Sequence, residues 1–472
     1  MNTLNERLVS VVPSKKQLKW HELKFYAFIH FGMNTFYDSE WGTGQEDTQR
    51  FNPTELDTDQ WVMTLKKAGM KAVILTCKHH DGFCLWPSKY TEHSIKNSPY
   101  KDGKGDIVAE LAASCKKYGL KFGVYLSPWD RHEACYGDSP KYNEFFMNQL
   151  TELLTQYGEI FAVWFDGACG EGPNGKKQEY DWQAYYDLIH KYQEDAVTAV
   201  CGEDVRWCGN EAGHCRTAEW NVVPRRLSKS EIIASNSQQA DDTAFRERPI
   251  TASDEDLGSR EVLKDEEDLI WYPAEVDTSI RQGWFYHKHE DDQVKPLEKL
   301  IEIFYNSVGG NASLLLNIPV DTRGLIHEAD VTRLEELGNY LKETFKNCIT
   351  EKAYITASHE ESEHPVDCIK TQDKSYYKTP DGQETATICL EFDRTYAINH
   401  IVLEEMIELS QRIEKFEIIA KTEAGDQVIY EGTVVGSGRI CNFETVHTSK
   451  ITIKVLESRV STTLKFVGVY TA

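Results

Sequence analysis

Between residues 25 and 345, short apolar runs alternate with longer stretches in which apolar residues recur every three or four positions. The runs fall at 25–31, 72–76, 121–126, 160–165, 196–201 and 313–318. Each is rich in β-branched and aromatic residues, as strands covered on both faces are. The intervening patterns predict helices over 61–68, 107–118 and 142–157, ending at Gly69, Gly119 and Gly158. A glycine just past a helix is the favoured left-handed cap. Further helices fit 182–193, 297–307 and 331–345.

Repeated strand–helix alternation predicts a parallel α/β fold. No strand is read as leading into a GxGxxG or GxxxxGK[ST] turn, so the phosphate-binding open-sheet folds lose their main signature. Polar and aromatic residues follow most strands instead: His30, the His79–His80–Asp81 cluster, residues 127–129 and Asp166. A barrel gathers its strand ends around one mouth, whereas an open sheet spreads them along an edge. Residues 1–345 are therefore expected to form a (β/α)8-like, TIM-type barrel. From 346 to 472 the period changes to two, in runs at 398–403, 416–420, 427–430, 450–455 and 465–470 broken by Gly, Asn and Asp. That predicts a C-terminal antiparallel β-sandwich. Residues 228–268 lack clear periodicity and read as a long insertion above the barrel mouth.

Composition narrows the partners. The chain carries 52 Lys+Arg against 76 Asp+Glu, a net charge of −24. Such a surface repels phosphate backbones and anionic headgroups, so neither nucleic acid nor membrane is an expected partner. No apolar run approaches the ~18 residues of a membrane span, and the first 24 residues hold no apolar core of a signal peptide. The twelve cysteines are scattered, without a CxxC pair. They read as reduced thiols, and a cytoplasmic location is expected.

Asp166 closes the run IFAVWFD, where a carboxylate ending a buried strand needs water or a partner. At the C-terminal end of a barrel strand it points into the mouth, suited to act as nucleophile or base. A structural or helix-capping aspartate is the alternative. A retaining glycosidase needs a second carboxyl ~5–5.5 Å away to protonate the leaving oxygen. Glu203, Glu211 and Glu219 all follow the fifth strand, and spacing does not choose among them. The adjacent His79 and His80 end the second strand and point to opposite faces. Metal-dependent barrels present HxH; neither that nor HExxH is read here, so no metal and no cofactor is expected. Cys201, Cys208 and Cys215 recur every seven residues, a spacing that matches no zinc pattern and reads as packing. Trp41, Trp86, Trp129, Trp207 and Trp284 stand near polar groups such as Glu40, His79, Arg131 and Arg281. Indole faces beside hydrogen-bonding side chains fit a neutral, polyhydroxylated ligand.

Seven segments together resemble the α-L-fucosidases of glycoside hydrolase family 29. They are FYAFIHFGMNTF (25–36), SEWG (39–42), KHHDGFCLWPSKYT (78–91), GVYLSPWDRH (123–132), VWFDGA (163–168), RWCGNEAG (206–213) and LLLNIPVDTRGLIHEADV (314–331). The RWCGNEAG segment and GWFYH (283–287) are similar to the subfamily acting on α-1,3/4-linked fucose in branched, Lewis-type glycans. The resemblance implies a retaining mechanism without metal, with Asp166 as nucleophile and Glu211 as acid/base. It also implies that His30, Glu40, Trp41, His79, His80, Tyr125, Arg281 and Trp284 bind the fucose ring of a fucosylated oligosaccharide. The alternatives are a non-catalytic glycan-binding protein and a glycosidase for another α-glycoside.

Overall fold

The protein, seen in a computed structural model, is described for residues 3–172, 174–237 and 256–472. Eight parallel strands form one sheet: β1 (Phe25–Ile29), β2 (Ala72–Lys78), β3 (Lys121–Leu126), β4 (Ala162–Phe165), β5 (Val197–Val200), β6 (Arg206–Trp207), β7 (Ala274–Ser279) and β8 (Ser313–Asn317). Their order is β5-β4-β3-β2-β1-β8-β7-β6. A parallel bridge between Ala199 and Val205 joins the two end strands and closes the barrel.

Local chemistry sets the helices between them. Asp57, Asp106 and Asp181 accept backbone N–H groups at the starts of Thr58–Lys67, Ile107–Tyr118 and Trp182–Tyr192, satisfying donors that a helix leaves open. Gly69, Gly119 and Gly158, the three expected stops, all adopt positive φ. Leu297–Ser307 follows β7 and Glu328–Thr344 follows β8.

Two strands escape the apolar-run signal. β6 is only two residues long, and β7 reads AEVDTS yet is buried at all six positions. Glu275 is tolerated there because it accepts hydrogen bonds from the Tyr26 hydroxyl and from Trp164 Nε1 at 2.7 Å. A further correction concerns glycines. Gly170, Gly172 and Gly175 do carry GxGxxG spacing after β4, but the next helix starts only at Trp182. The turn closes on itself through Gly172 N–H to Lys176 O at 2.9 Å and a Glu171–Lys177 bridge, so it opens no helix N-terminus.

No helix separates β5 from β6. Asp204 Oδ2 organises the short link by accepting from Thr198 N and Oγ1 at 2.8 and 2.9 Å. The outer wall at this point is covered by Lys15–His21, an N-terminal helix. Its Gln17 Nε2 donates to Asp204 O and Trp271 O, both at 2.8 Å, and its Lys16 pairs with Asp204 at 2.6 Å.

The C-terminal unit is a six-stranded antiparallel sheet with a two-stranded ribbon, Tyr377–Lys378 against Thr463–Leu464. Two long strands, Ala386–Glu404 and Arg439–Ser458, pair along most of their length. Alternate residues such as Ile388, Leu390, Ile451 and Ile453 fill its core. Of the insertion expected at 228–268, residues 238–255 lie outside the described residues. Its C-terminal flank docks on the sandwich, where Arg260 donates to Glu414 and to Ser458 O at 2.7 and 2.8 Å.

Candidate active site

A cavity opens at the C-terminal ends of the barrel strands, the position a barrel's topology assigns to chemistry. Phe28, His30, Glu40, Trp41, His79, His80, Tyr125, Trp164, Asp166, Ala168, Glu211, Asp277 and Trp284 line it. It thus gathers Asp166, Glu211 and seven of the eight residues expected to contact the ligand.

Asp166 sits one residue past β4. Its Oδ1 accepts from Ala168 N at 2.8 Å and its Oδ2 from the Tyr125 hydroxyl at 3.0 Å. Tyr125 is buried, which pushes its phenol up and keeps it a donor. The Asp166 side chain retains 24% exposure, so water and ligand reach it. Of the three glutamates that spacing left open, Glu211 alone lines the cavity. Glu203 is exposed and lies 3.9 Å from Arg225. Glu219 is fully buried, bonded to Arg206 at 2.5 Å and to Arg216 N at 3.0 Å. Those two arginines outweigh its burial and hold its carboxyl below the usual range.

Three imidazoles, those of His30, His79 and His80, also line the cavity. Asn317 Nδ2 donates to Ser279 Oγ and Trp284 O, which turns its Oδ1 toward His30 Nδ1 at 2.8 Å. His30 is therefore protonated at Nδ1 and directs an Nε2 lone pair at the cavity. Burial pulls its pKa down to about 4. Burial and the two neighbouring histidines likewise hold His79 well below the ordinary value. Ser127 Oγ donates to Trp129 O and accepts from His80 Nδ1 at 2.7 Å. His80 Nε2 then lies 3.7 Å from Asp166 Oδ2. Neutral imidazoles such as those of His30 and His79 offer both donors and acceptors, which suits hydroxyl groups.

Glu40 ties two loops together. Its carboxylate accepts from Trp284 N at 2.9 Å, Phe285 N at 3.1 Å and His287 Nε2 at 2.7 Å. Gly283 permits this approach, since a methyl group there would lie 2.8 Å from Glu40 Oε1 and 2.7 Å from the His287 ring. His287 also meets Asp38 at 2.6 Å, and these carboxylates raise its pKa to about 9. His287 and His289 are an HxH pair, contrary to the expectation that the chain has none.

Arg281 is placed differently from its expected companions. Its side chain is fully buried, with Nε 3.0 Å from Asp330 and Nη1 2.9 Å from Asp291, and it borders a second cleft. That cleft, about 490 Å³, adjoins the first and shares Glu211 and Trp284 with it. Trp164 and Asp277 line the cavity without having been singled out from sequence. Asp277 accepts from Trp207 Nε1 at 2.7 Å, and burial foremost, then the Glu211 charge, push its carboxyl well up. The one available signal was acid in an otherwise strand-like segment.

A closed barrel with two carboxylates and indole faces at one mouth is the site of a glycoside hydrolase. Residues 5–345 match the family model described as Alpha-L-fucosidase. The chain belongs to the α-L-fucosidase family. It is similar to Alpha-L-fucosidase 1 of Arabidopsis thaliana, 40% identical over 469 residues, covering 97% of this chain and 87% of that one. A Ruminococcus gnavus GH29 fucosidase solved in complex with fucose superposes with a TM-score of 0.83 at 30% identity, over 98% of this chain and 95% of the other. A crystal structure from Bacteroides ovatus gives 0.85 at 45% identity, over 100% of this chain and 76% of the other.

Proposed function

We propose that this α-L-fucosidase is a retaining exo-enzyme that removes terminal α-1,3/4-linked fucose from branched, Lewis-type glycans. The observation that carries the reading is the position of Glu211, which borders both the cavity holding Asp166 and the roomier cleft beside it. Fucose occupies the first and the branched leaving group the second.

Asp166 attacks the anomeric carbon as the glycosidic C–O bond breaks, and Glu211 delivers its proton to the departing oxygen. A fucosyl ester on Asp166 results. Glu211, now a carboxylate, takes a proton from water, whose oxygen displaces Asp166 and releases fucose with net retention. Tyr125 O–H and Ala168 N–H hold the nucleophile in place before attack. His30, His79 and His80 meet the ring hydroxyls, while Trp41 and Trp284 pack against its C–H faces.

The test is a side-by-side incubation with a Lewis trisaccharide and a 2′-linked fucoside, with free fucose quantified. Release from the trisaccharide at least tenfold faster is expected. Equal or reversed rates overturn the linkage preference, and no release from either overturns the hydrolase roles of Asp166 and Glu211.

A further inference from the structure

The HxH pair at the rim of the mouth faces a carboxylate from another loop. Asp38 caps the C-terminus of the helix Met33–Tyr37 in a left-handed conformation, φ 52° and ψ 48°. His287 precedes the 3-10 turn Lys288–Glu290, which carries His289. One ligand atom from each of Asp38, His287 and His289 lies within 4.8 Å of the other two. Among the described residues no other group of three or more such side chains meets this criterion.

We propose that Asp38, His287 and His289 form a binding site for one divalent transition-metal ion of the zinc class, with solvent completing the coordination. Two imidazoles and one carboxylate are the donor set that borderline ions favour over calcium or magnesium, which prefer oxygen alone. The ion takes the place of the proton between His287 Nδ1 and Asp38, and that proton leaves to solvent. Tetrahedral coordination requires these two atoms to separate from 2.6 Å to roughly 3.4 Å, given bonds of about 2.0–2.1 Å to each. Asp38 can make that adjustment because its side chain is 70% exposed, whereas His287 is 8% exposed and stays fixed.

What fixes His287 is Glu40, bonded to its other nitrogen at 2.7 Å. A carboxylate behind a ligating imidazole is the arrangement that orients metal-bound histidines in general. The bound ion fastens the loop carrying Trp41 to the loop carrying Trp284, through Glu40, which already holds Trp284 N and Phe285 N. It lies behind this wall, and it takes no part in the chemistry at Asp166.

The test uses the full chain stripped of metal by chelation, with Zn2+ titrated calorimetrically and Co2+ used as a spectroscopic probe. One equivalent is expected to bind, raising the melting temperature, and His289→Ala should weaken binding at least tenfold. His289 is exposed, so this substitution leaves the fold intact; Asp38→Asn provides a second, milder loss. Co2+ should show d–d bands without strong sulfur-to-cobalt charge transfer. Equal affinity in wild type and His289→Ala, thiolate bands, or no binding at all overturns the site. None of these readouts depends on fucoside turnover.

Discussion

Two carboxylates inside the same barrel, Asp166 and Glu275, accept nearly the same number of hydrogen bonds in opposite surroundings. Asp166 takes one from a tyrosine hydroxyl and one from a backbone amide. Glu275 takes one from a tyrosine hydroxyl and one from an indole. The difference is depth. Asp166 stands just past β4 with a quarter of its side chain open, while Glu275 is 1% exposed on β7. Burial outweighs both donors at Glu275 and pushes its carboxyl up to about 7. Access to water, not the number of donors, separates a carboxylate that can react from one that only packs.

Removing each group should therefore do different damage. Asp166→Ala is expected to lower fucose release from a Lewis trisaccharide by on the order of a thousandfold or more, with the melting temperature almost unchanged. Turnover near wild type in that variant erases the distinction. The same contrast applies to the glutamates after β6. Glu211→Ala should lose about 10²- to 10⁴-fold in rate and regain activity with azide on a substrate bearing a good leaving group. Glu219→Ala should instead cost about 3–5 kcal/mol of stability by leaving Arg206 and Arg216 buried without their counter-ion, as measured by denaturant unfolding. Azide rescue of the Glu219 variant reverses the assignment.

The smallest effect is a pH dependence. Below about pH 4.5 Glu275 is protonated whether the chain is folded or not. As pH rises toward 7 the unfolded chain releases this proton first, so the group's contribution to stability falls, and above 7 the loss is constant. Glu275→Gln, an isostere of the protonated form, removes that term. Its stability relative to wild type should climb by about 1–3 kcal/mol between pH 4.5 and 7 and then level off. A difference independent of pH contradicts the raised carboxyl.

These carboxylates also mark where sequence reading succeeds. β1 to β5 and β8 announce themselves as apolar runs, and Asp166 stands out because it ends one. β7 is hidden because Glu275 and Asp277 break the pattern, their partners Tyr26, Trp164 and Trp207 being 249, 111 and 70 residues away. Spacing alone did not show that Glu211 rather than Glu219 lines the cavity, which only the family resemblance singled out, because it depends on which side chain Arg206 and Arg216 enclose. Arg281 lies just before the GWFYH segment, but its neighbours Asp330 and Asp291 turn the guanidinium toward themselves.

The missing helix between β5 and β6 has a consequence in time. The helix Lys15–His21 covers that gap, yet Gln17 emerges during synthesis 187 residues before its partner Asp204 and 254 before Trp271. At ordinary elongation rates the interval is about 10 to 50 s. Trp20 of the same helix waits less, since its indole donates to the Tyr26 hydroxyl only six residues further on. The polar face of this helix finds its partners only after β5 and β6 have been made, which ties completion of the wall to the middle of the chain rather than to its first strands.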